Sequence, residues 1–281
     1  MAYFYKNLCQ RISAANLPAL EAAIDVWLIA NGVTLRRKWI NQAGTEALLF
    51  YHTVLDASLV NPLLVFTFDN VEIGQFNLAY PLFLAKGCAG TFYCNLNEIG
   101  TVGCMTWANI VAMAGGGMDM QDHSQTHTDF TTLTPAQMLL ECAAVDAAFI
   151  AAGLAAPTHF SYPWGAYNNT VIQTLSTVRQ TCRTYTNWTT SYIHAERSTF
   201  RYELQSYRID DVLSFNVNDF INYHMEACRI SKGIMVTLSH AVNVLGGGAT
   251  KISDIETIID YAQAHGFVIV TIAGLRTNWL I

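Results

Sequence analysis

The spacing of apolar and polar positions changes character once along this chain, near residue 55. Upstream of that point, Asn16 is placed to cap a helix whose apolar face runs through Leu17, Leu20, Ala23, Ile24 and Leu28, and Asn31-Gly32 ends it. Two β-like runs follow, over 33–40 and 47–54, with the turn-prone Asn41-Gln42-Ala43-Gly44 between them. Residues 1–55 therefore read as a small α+β appendage, a helix plus a hairpin. Residues 56–281 read as the main domain.

The main domain opens with Leu63-Leu64-Val65-Phe66-Thr67-Phe68, an unbroken apolar run that suits a strand buried on both faces, and Asp69 stands at its C-terminal end. A helix is predicted over 77–86, stopped by Gly87, then a strand over 90–96 and a short helix over 106–114 ended by Gly115-Gly116-Gly117. Thr134-Pro135-Ala136-Gln137 is a capping box with proline at the first helical position; it opens a helix to about Ala152, closed by Gly153. A strand over 158–162, a helix over 170–179 and a strand over 182–188 follow. The strand 233–238 ends at Ser239-His240, a helix is capped at Ser253, and 267–272 forms the last strand. Strands alternating with helices imply parallel strands, each covered by its crossover helix. In closed β/α barrels of this kind the chemistry collects at the C-terminal ends of the strands.

Composition narrows the function. Charged residues make up 13% and hydrophobic residues 52%, so burial is extensive and an assembly interface through the N-terminal unit is a natural expectation. Net charge is −6 and the basic residues cluster only at Arg36-Arg37-Lys38, which argues against nucleic-acid binding. No apolar run is long enough to span a membrane, and no secretory signal is visible at the start. Seven cysteines without a Cys-x-x-Cys pair give neither a zinc knuckle nor a disulfide framework. A serine esterase would need a Gly-x-Ser-x-Gly elbow, which is absent.

The candidate chemistry lies at the predicted strand ends: Asp69, the segment His123-Ser124-Gln125-Thr126-His127, Tyr162-Pro163-Trp164-Gly165, and His240. Two histidines four apart share a face on a helical turn, so both imidazoles could reach one metal ion. Alone the pair is weak; four segments on one rim are a much stronger signal.

Taken in order, Thr67-Phe68-Asp69-Asn70, His123-x-x-x-His127, Ser161-Tyr162-Pro163-Trp164-Gly165 and Leu238-Ser239-His240 resemble the motifs of the polysaccharide deacetylases, the NodB-homology group or carbohydrate esterase family 4. The likeness covers roughly 60–275 and extends to Gly90-Thr91-Phe92-Tyr93 and Leu133-Thr134-Pro135. It implies an irregular, incomplete (β/α) barrel and a hydrolase that removes N- or O-linked acetyl groups from a carbohydrate polymer. It also implies a divalent metal, most often zinc with cobalt or nickel as alternatives, on His123, His127 and Asn70. Asp69 then corresponds to the general base and His240 to the general acid. The loop of Tyr162, Pro163, Trp164 and Gly165 would line the substrate groove, with the Trp164 main-chain N–H at the oxyanion. Asp210 or Asp211 would orient His240.

Two departures matter. Asn70 stands where the family carries a metal-binding Asp, with Asp119 or Asp122 as candidates to compensate. Ser161 stands where many members carry an Arg that braces the base, so any bracing of Asp69 must come from elsewhere. A second reading therefore stays open: a catalytically weak or inactive carbohydrate-binding protein on the same barrel. The implied substrate, an acetylated polysaccharide or oligosaccharide, lies outside the cytoplasm. An extracellular or particle-borne protein is expected, such as a bacteriophage tail component attached through residues 1–55.

Overall fold

A computed structural model of the chain describes residues 4–13, 15–16, 18–20, 22–23, 34–40, 46–55, 61–185, 202–210, 215–246 and 248–279. The N-terminal strands are β1 (Phe4–Ser13), β2 (Thr34–Ile40) and β3 (Glu46–Leu55). They form an antiparallel sheet in the order β1-β3-β2, with Phe4 opposite Leu55 and Ile40 opposite Ala47. The expected hairpin is β2–β3. Strand β1 was not foreseen, because Lys6, Asn7, Gln10 and Arg11 break any clean alternation in its sequence. Asn16 does cap: its side chain accepts from the Ala19 N–H at 3.1 Å. Residues 24–33, where most of the expected helix falls, lie outside the described residues.

The strand expected from the apolar run is β4 (Leu63–Asp69), buried along its whole length. Strands β5 (Thr91–Cys94), β6 (Asp119–Asp122), β7 (His159–Ser161), β8 (Thr181–Tyr185), β9 (Leu204–Arg208) and β10 (Ile234–Ser239) follow it. Each pairs parallel with the next, and β10 returns to pair with β4, closing a seven-stranded barrel. The short strands β11 (Val242–Asn243) and β12 (Thr250–Lys251) pair beyond β10. Strand β13 (Val268–Ile269) pairs with the first residues of β4, whereas β5 pairs with its last three. This makes the barrel irregular: β13 wedges between β4 and β5 at the bottom only.

Helices α1 (Tyr80–Ala85), α2 (Trp107–Gly115), α3 (Pro135–Ala151), α4 (Asn169–Leu175), α5 (Glu226–Ser231), α6 (Ile252–Ala264) and α7 (Ile272–Trp279) accompany the strands. None is long and apolar enough to cross a membrane. The Thr134 capping box forms as expected, Thr134 and Gln137 each bonding the other's backbone. The helix predicted over 77–86 instead begins with a π-helical turn, Gln75–Ala79, before α1. The strand predicted over 267–272 stops at Ile269, and α7 starts at Ile272.

The two faces of β4 explain its unbroken apolarity. Leu64, Phe66 and Phe68 pack outward in one cluster with Phe83, Phe92, Ile258 and Ile259. Leu63 and Val65 lie in a separate cluster with Tyr93, Leu204, Ile234, Val236, and Ile272 and Leu275 of α7, which seal the barrel bottom. Above them the interior turns polar, and the site begins there.

Candidate active site

Asp69 ends β4 and is 3% exposed. Burial alone would raise its pKa, but Arg183, His123 and His240 hold it below the usual carboxylate range. Arg183, inside β8, bonds both carboxylate oxygens of Asp69 and the Ser161 hydroxyl through Nη2. Its Nη1 donates to the Ser206 hydroxyl at 2.9 Å, and its guanidinium stands 5.3 Å from the centre of the Tyr93 ring. Ser161 itself donates to Asp69 Oδ2 at 3.1 Å. The arginine missing from position 161 is therefore replaced in space by one from the next strand. The only sequence signal was a lone arginine within an otherwise buried strand.

The histidine pair does not lie on a helical turn, as the spacing suggested. His123 follows β6 directly, and the chain then loops back. Ser124 and His127 both take left-handed backbone, φ 68° and 59°, which costs a non-glycine residue about 1 kcal/mol or more. Three side chains hold the loop in that shape. The Ser124 hydroxyl accepts from the His127 N–H at 2.9 Å. Asp122 accepts from the Ser124 N–H at 2.7 Å. Glu141 of α3 accepts from the N–H groups of Gln125 and Thr126 at 3.0 and 2.9 Å. The outcome is two Nε2 atoms 3.2 Å apart. Nδ1 of His123 is anchored on the Ser161 carbonyl at 2.9 Å, and its Nε2 lies 3.8 Å from Asp69 Oδ2. Burial pushes the His123 imidazole down to about 4 and lowers His127 as well, so both are neutral at pH 7.

Asn70 follows Asp69 with φ 63°, a left-handed turn that asparagine tolerates. Its Oδ1 is buried and finds no hydrogen-bond partner. Such an acceptor costs about 1–3 kcal/mol unless something completes it. The proposed compensators are engaged elsewhere. Asp122 is wholly buried against Arg179, at 2.7 Å from Nη2, and burial raises it to about 6. Asp119 sits at the opposite end of β6, bonded to Thr91 and Gln121. Two neutral imidazoles and one unsatisfied amide oxygen form a donor set that fits a divalent metal. Among the described residues, no group of three His, Cys, Asp or Glu side chains is placed to hold one.

His240 follows β10. Its Nδ1 lies 2.5 Å from Asp210 Oδ2, which also accepts the His240 N–H at 2.9 Å. Burial opposes a charged ring, but the Asp210 bond and the Asp69 charge outweigh it and raise the His240 pKa. Arg208 donates to the other Asp210 oxygen at 2.7 Å. Asp211 lies outside the described residues.

In the motif loop the aromatic pair divides. Tyr162 is buried and donates its hydroxyl to the Tyr202 carbonyl at 2.9 Å, so it offers no face to a ligand. Trp164 is 66% exposed, with φ 61°; its indole donates to the His127 carbonyl at 3.1 Å and stands edge-on to the His127 ring. Pro163 is buried, and Gly165, at φ 66°, packs so tightly on the Tyr185 ring that a Cβ would come within 2.6 Å of it.

The class the fold and site define is a parallel (β/α) barrel with Asp, paired His and a His–Asp couple on its C-terminal rim. Residues 58–182 match the polysaccharide deacetylase family model. A chitin deacetylase of Arthroderma benhamiae is 29% identical over 135 residues, 46% of this chain and 35% of that protein. The chain thus spans about a third of that relative's length. Among solved structures, the Xyl-CE4 domain of a multidomain xylanase from the hindgut metagenome of Trinervitermes trinervoides matches with TM-score 0.59 and 18% identity, over 79% of this chain and 92% of that one. A family 4 pseudoenzyme from Bacillus anthracis matches with TM-score 0.53 and 13% identity, over 76% and 65%. The chain is thus similar to the polysaccharide deacetylases over residues 58–182, and its barrel shares the fold of the family 4 structures.

Proposed function

We propose that the chain is a metal-dependent hydrolase that removes acetyl groups, N- or O-linked, from a carbohydrate polymer and releases acetate. The observation that carries this reading is the pairing of a braced carboxylate, Asp69 on Arg183, with a carboxylate-held imidazole, His240 on Asp210, around the two neutral histidines. His123, His127 and Asn70 would hold a divalent metal, zinc, cobalt or nickel. Bound there, it would polarise the acetyl carbonyl and acidify a water. Asp69 is kept ionised and takes the proton of the attacking water. His240 keeps its proton through Asp210 and delivers it from Nε2 to the departing nitrogen or oxygen. Trp164 offers an exposed ring face on which a sugar can stack.

The second reading, a carbohydrate-binding protein that has lost its activity, draws on Asn70. Against it stands Arg183: a lapsed site has no need to restore the support of its base from another strand. Residues 1–55 are proposed as an attachment module of an extracellular or particle-borne protein.

The deciding experiment compares the protein with His127→Ala and Asn70→Asp for zinc content and for acetate released from acetylated chito-oligosaccharide and acetylated xylan. We expect stoichiometric zinc and acetate release, both lost in His127→Ala, with tighter zinc binding in Asn70→Asp. A protein that takes up zinc only as Asn70→Asp, and releases no acetate itself, would establish the inactive reading instead.

A further inference from the structure

Strands β4 and β10 form the seam that closes the barrel, and their ladder runs only as far as Phe68 opposite Ser239. The next residues on the two strands are Asp69 and His240. Beyond the last rung, one side chain takes over. Gln75, at the start of the π-helical turn, donates from its single Nε2 to the Asp69 carbonyl at 2.8 Å and to the His240 carbonyl at 2.9 Å. It is wholly buried, and its Oε1 has no partner. A residue kept for packing alone would avoid a buried, unsatisfied acceptor, which costs about 1–3 kcal/mol. π-Helical turns themselves are rare and recur at functional sites.

The neighbouring glycine serves the same seam. A Cβ on Gly74 would come within 2.0 Å of the Val242 carbonyl oxygen, two residues past His240. Only glycine lets the turn approach closely enough for Gln75 to reach both carbonyls.

We propose that Gln75 is a positioning residue that fixes the spacing between the proton acceptor Asp69 and the proton donor His240, acting as an added rung of the β4–β10 ladder. This rests on the roles given to Asp69 and His240 above. One amide group, spending both its hydrogens, ties the two backbones whose side chains must act on opposite sides of the same acetyl group. A displacement of about 1 Å between such groups costs on the order of 100-fold in rate.

The test is Gln75→Met, which keeps the length and removes both donors. On acetylated chito-oligosaccharide we expect kcat to fall about 10- to 100-fold with KM within about twofold, as an orientation effect requires. The histidine NMR titration should place the His240 midpoint lower than in the unsubstituted protein, because its ring moves away from Asp69. A lower melting temperature with kcat and the His240 midpoint unchanged would make Gln75 a packing residue and overturn the proposal. If the unsubstituted protein releases no acetate, the functional reading fails, and the His240 midpoint alone decides the role of Gln75. Should Gln75→Met not fold, exchange of the Gln75 side-chain amide protons in the unsubstituted protein decides: slow exchange supports the rung, and fast exchange of both excludes it.

Discussion

At the scale of single residues, the site sets burial against charge. Asp69 and His240 both lose hydration, which favours their neutral forms. Each is returned to its charged form by a partner from another part of the barrel, Arg183 inside β8 and Asp210 just past β9. For His240 that partner is Asp210, so the sign of a substitution follows directly. The folded-state pKa is raised, and the stabilisation the pair provides is full below the unfolded histidine value and fades as the pH rises through the raised one. In Asp210→Asn the charge is gone and burial dominates. The alkaline limb of the acetate-release profile should then move to lower pH with a reduced maximum, as a pH–rate series will show. An unmoved limb would mean that His240 is not the group that titrates there. Asp69, His123, His127 and His240 were legible in the sequence because each belongs to a short motif at a strand end. Arg183 was not: 114 positions separate it from Asp69, and nothing local distinguishes it.

At the scale of elements, the loop after β6 shows how a weak sequence signal becomes a defined geometry. His-x-x-x-His suggested a helical turn because i and i+4 share a face there. The chain reaches the same convergence by another route, a loop with two left-handed residues that Asp122 holds at Ser124 and Glu141 holds at Gln125 and Thr126. Asp122 keeps its shape-holding role through Arg179, which also bonds Asp146 of α3 at 2.7 Å. Removing one partner of such a buried pair leaves an uncompensated charge, at a cost of about 3–5 kcal/mol. Arg179→Met should therefore lower stability to chemical denaturation by about that amount. It should also weaken zinc binding, although Arg179 touches neither histidine. A loss below about 1 kcal/mol would show that the loop holds itself. This support was invisible in sequence because Arg179 ended a predicted helix, where a basic residue already has an ordinary explanation in the helix dipole.

At the scale of the whole molecule, the bottom of the barrel is closed by parts the pattern misread. The last strand is only two residues long, and α7 follows, sending Ile272 and Leu275 into the cluster of Leu63, Val65 and Val236. Leu275 is wholly buried, so Leu275→Ala should cost about 2–5 kcal/mol in equilibrium unfolding, a transfer loss plus the cavity left behind. A change near zero would mean that α7 does not seal the barrel. The sequence by itself determined the alternation of buried strands and helices, since burial on both faces demands unbroken apolar runs and crossovers demand amphipathic helices. It also determined which strand ends carry Asp, His and the aromatic loop. Only the tertiary structure decided how the ring closes, that Asp122 and Asp119 turn away from the histidines, and that Arg183 and Gln75 serve Asp69. The closing β4–β10 pairing and the Arg183–Asp69 contact join residues more than a hundred positions apart. The contacts of Asp122, Asp119 and Gln75 are nearer in sequence, but like the others they depend on strand order and register, which no local pattern contains.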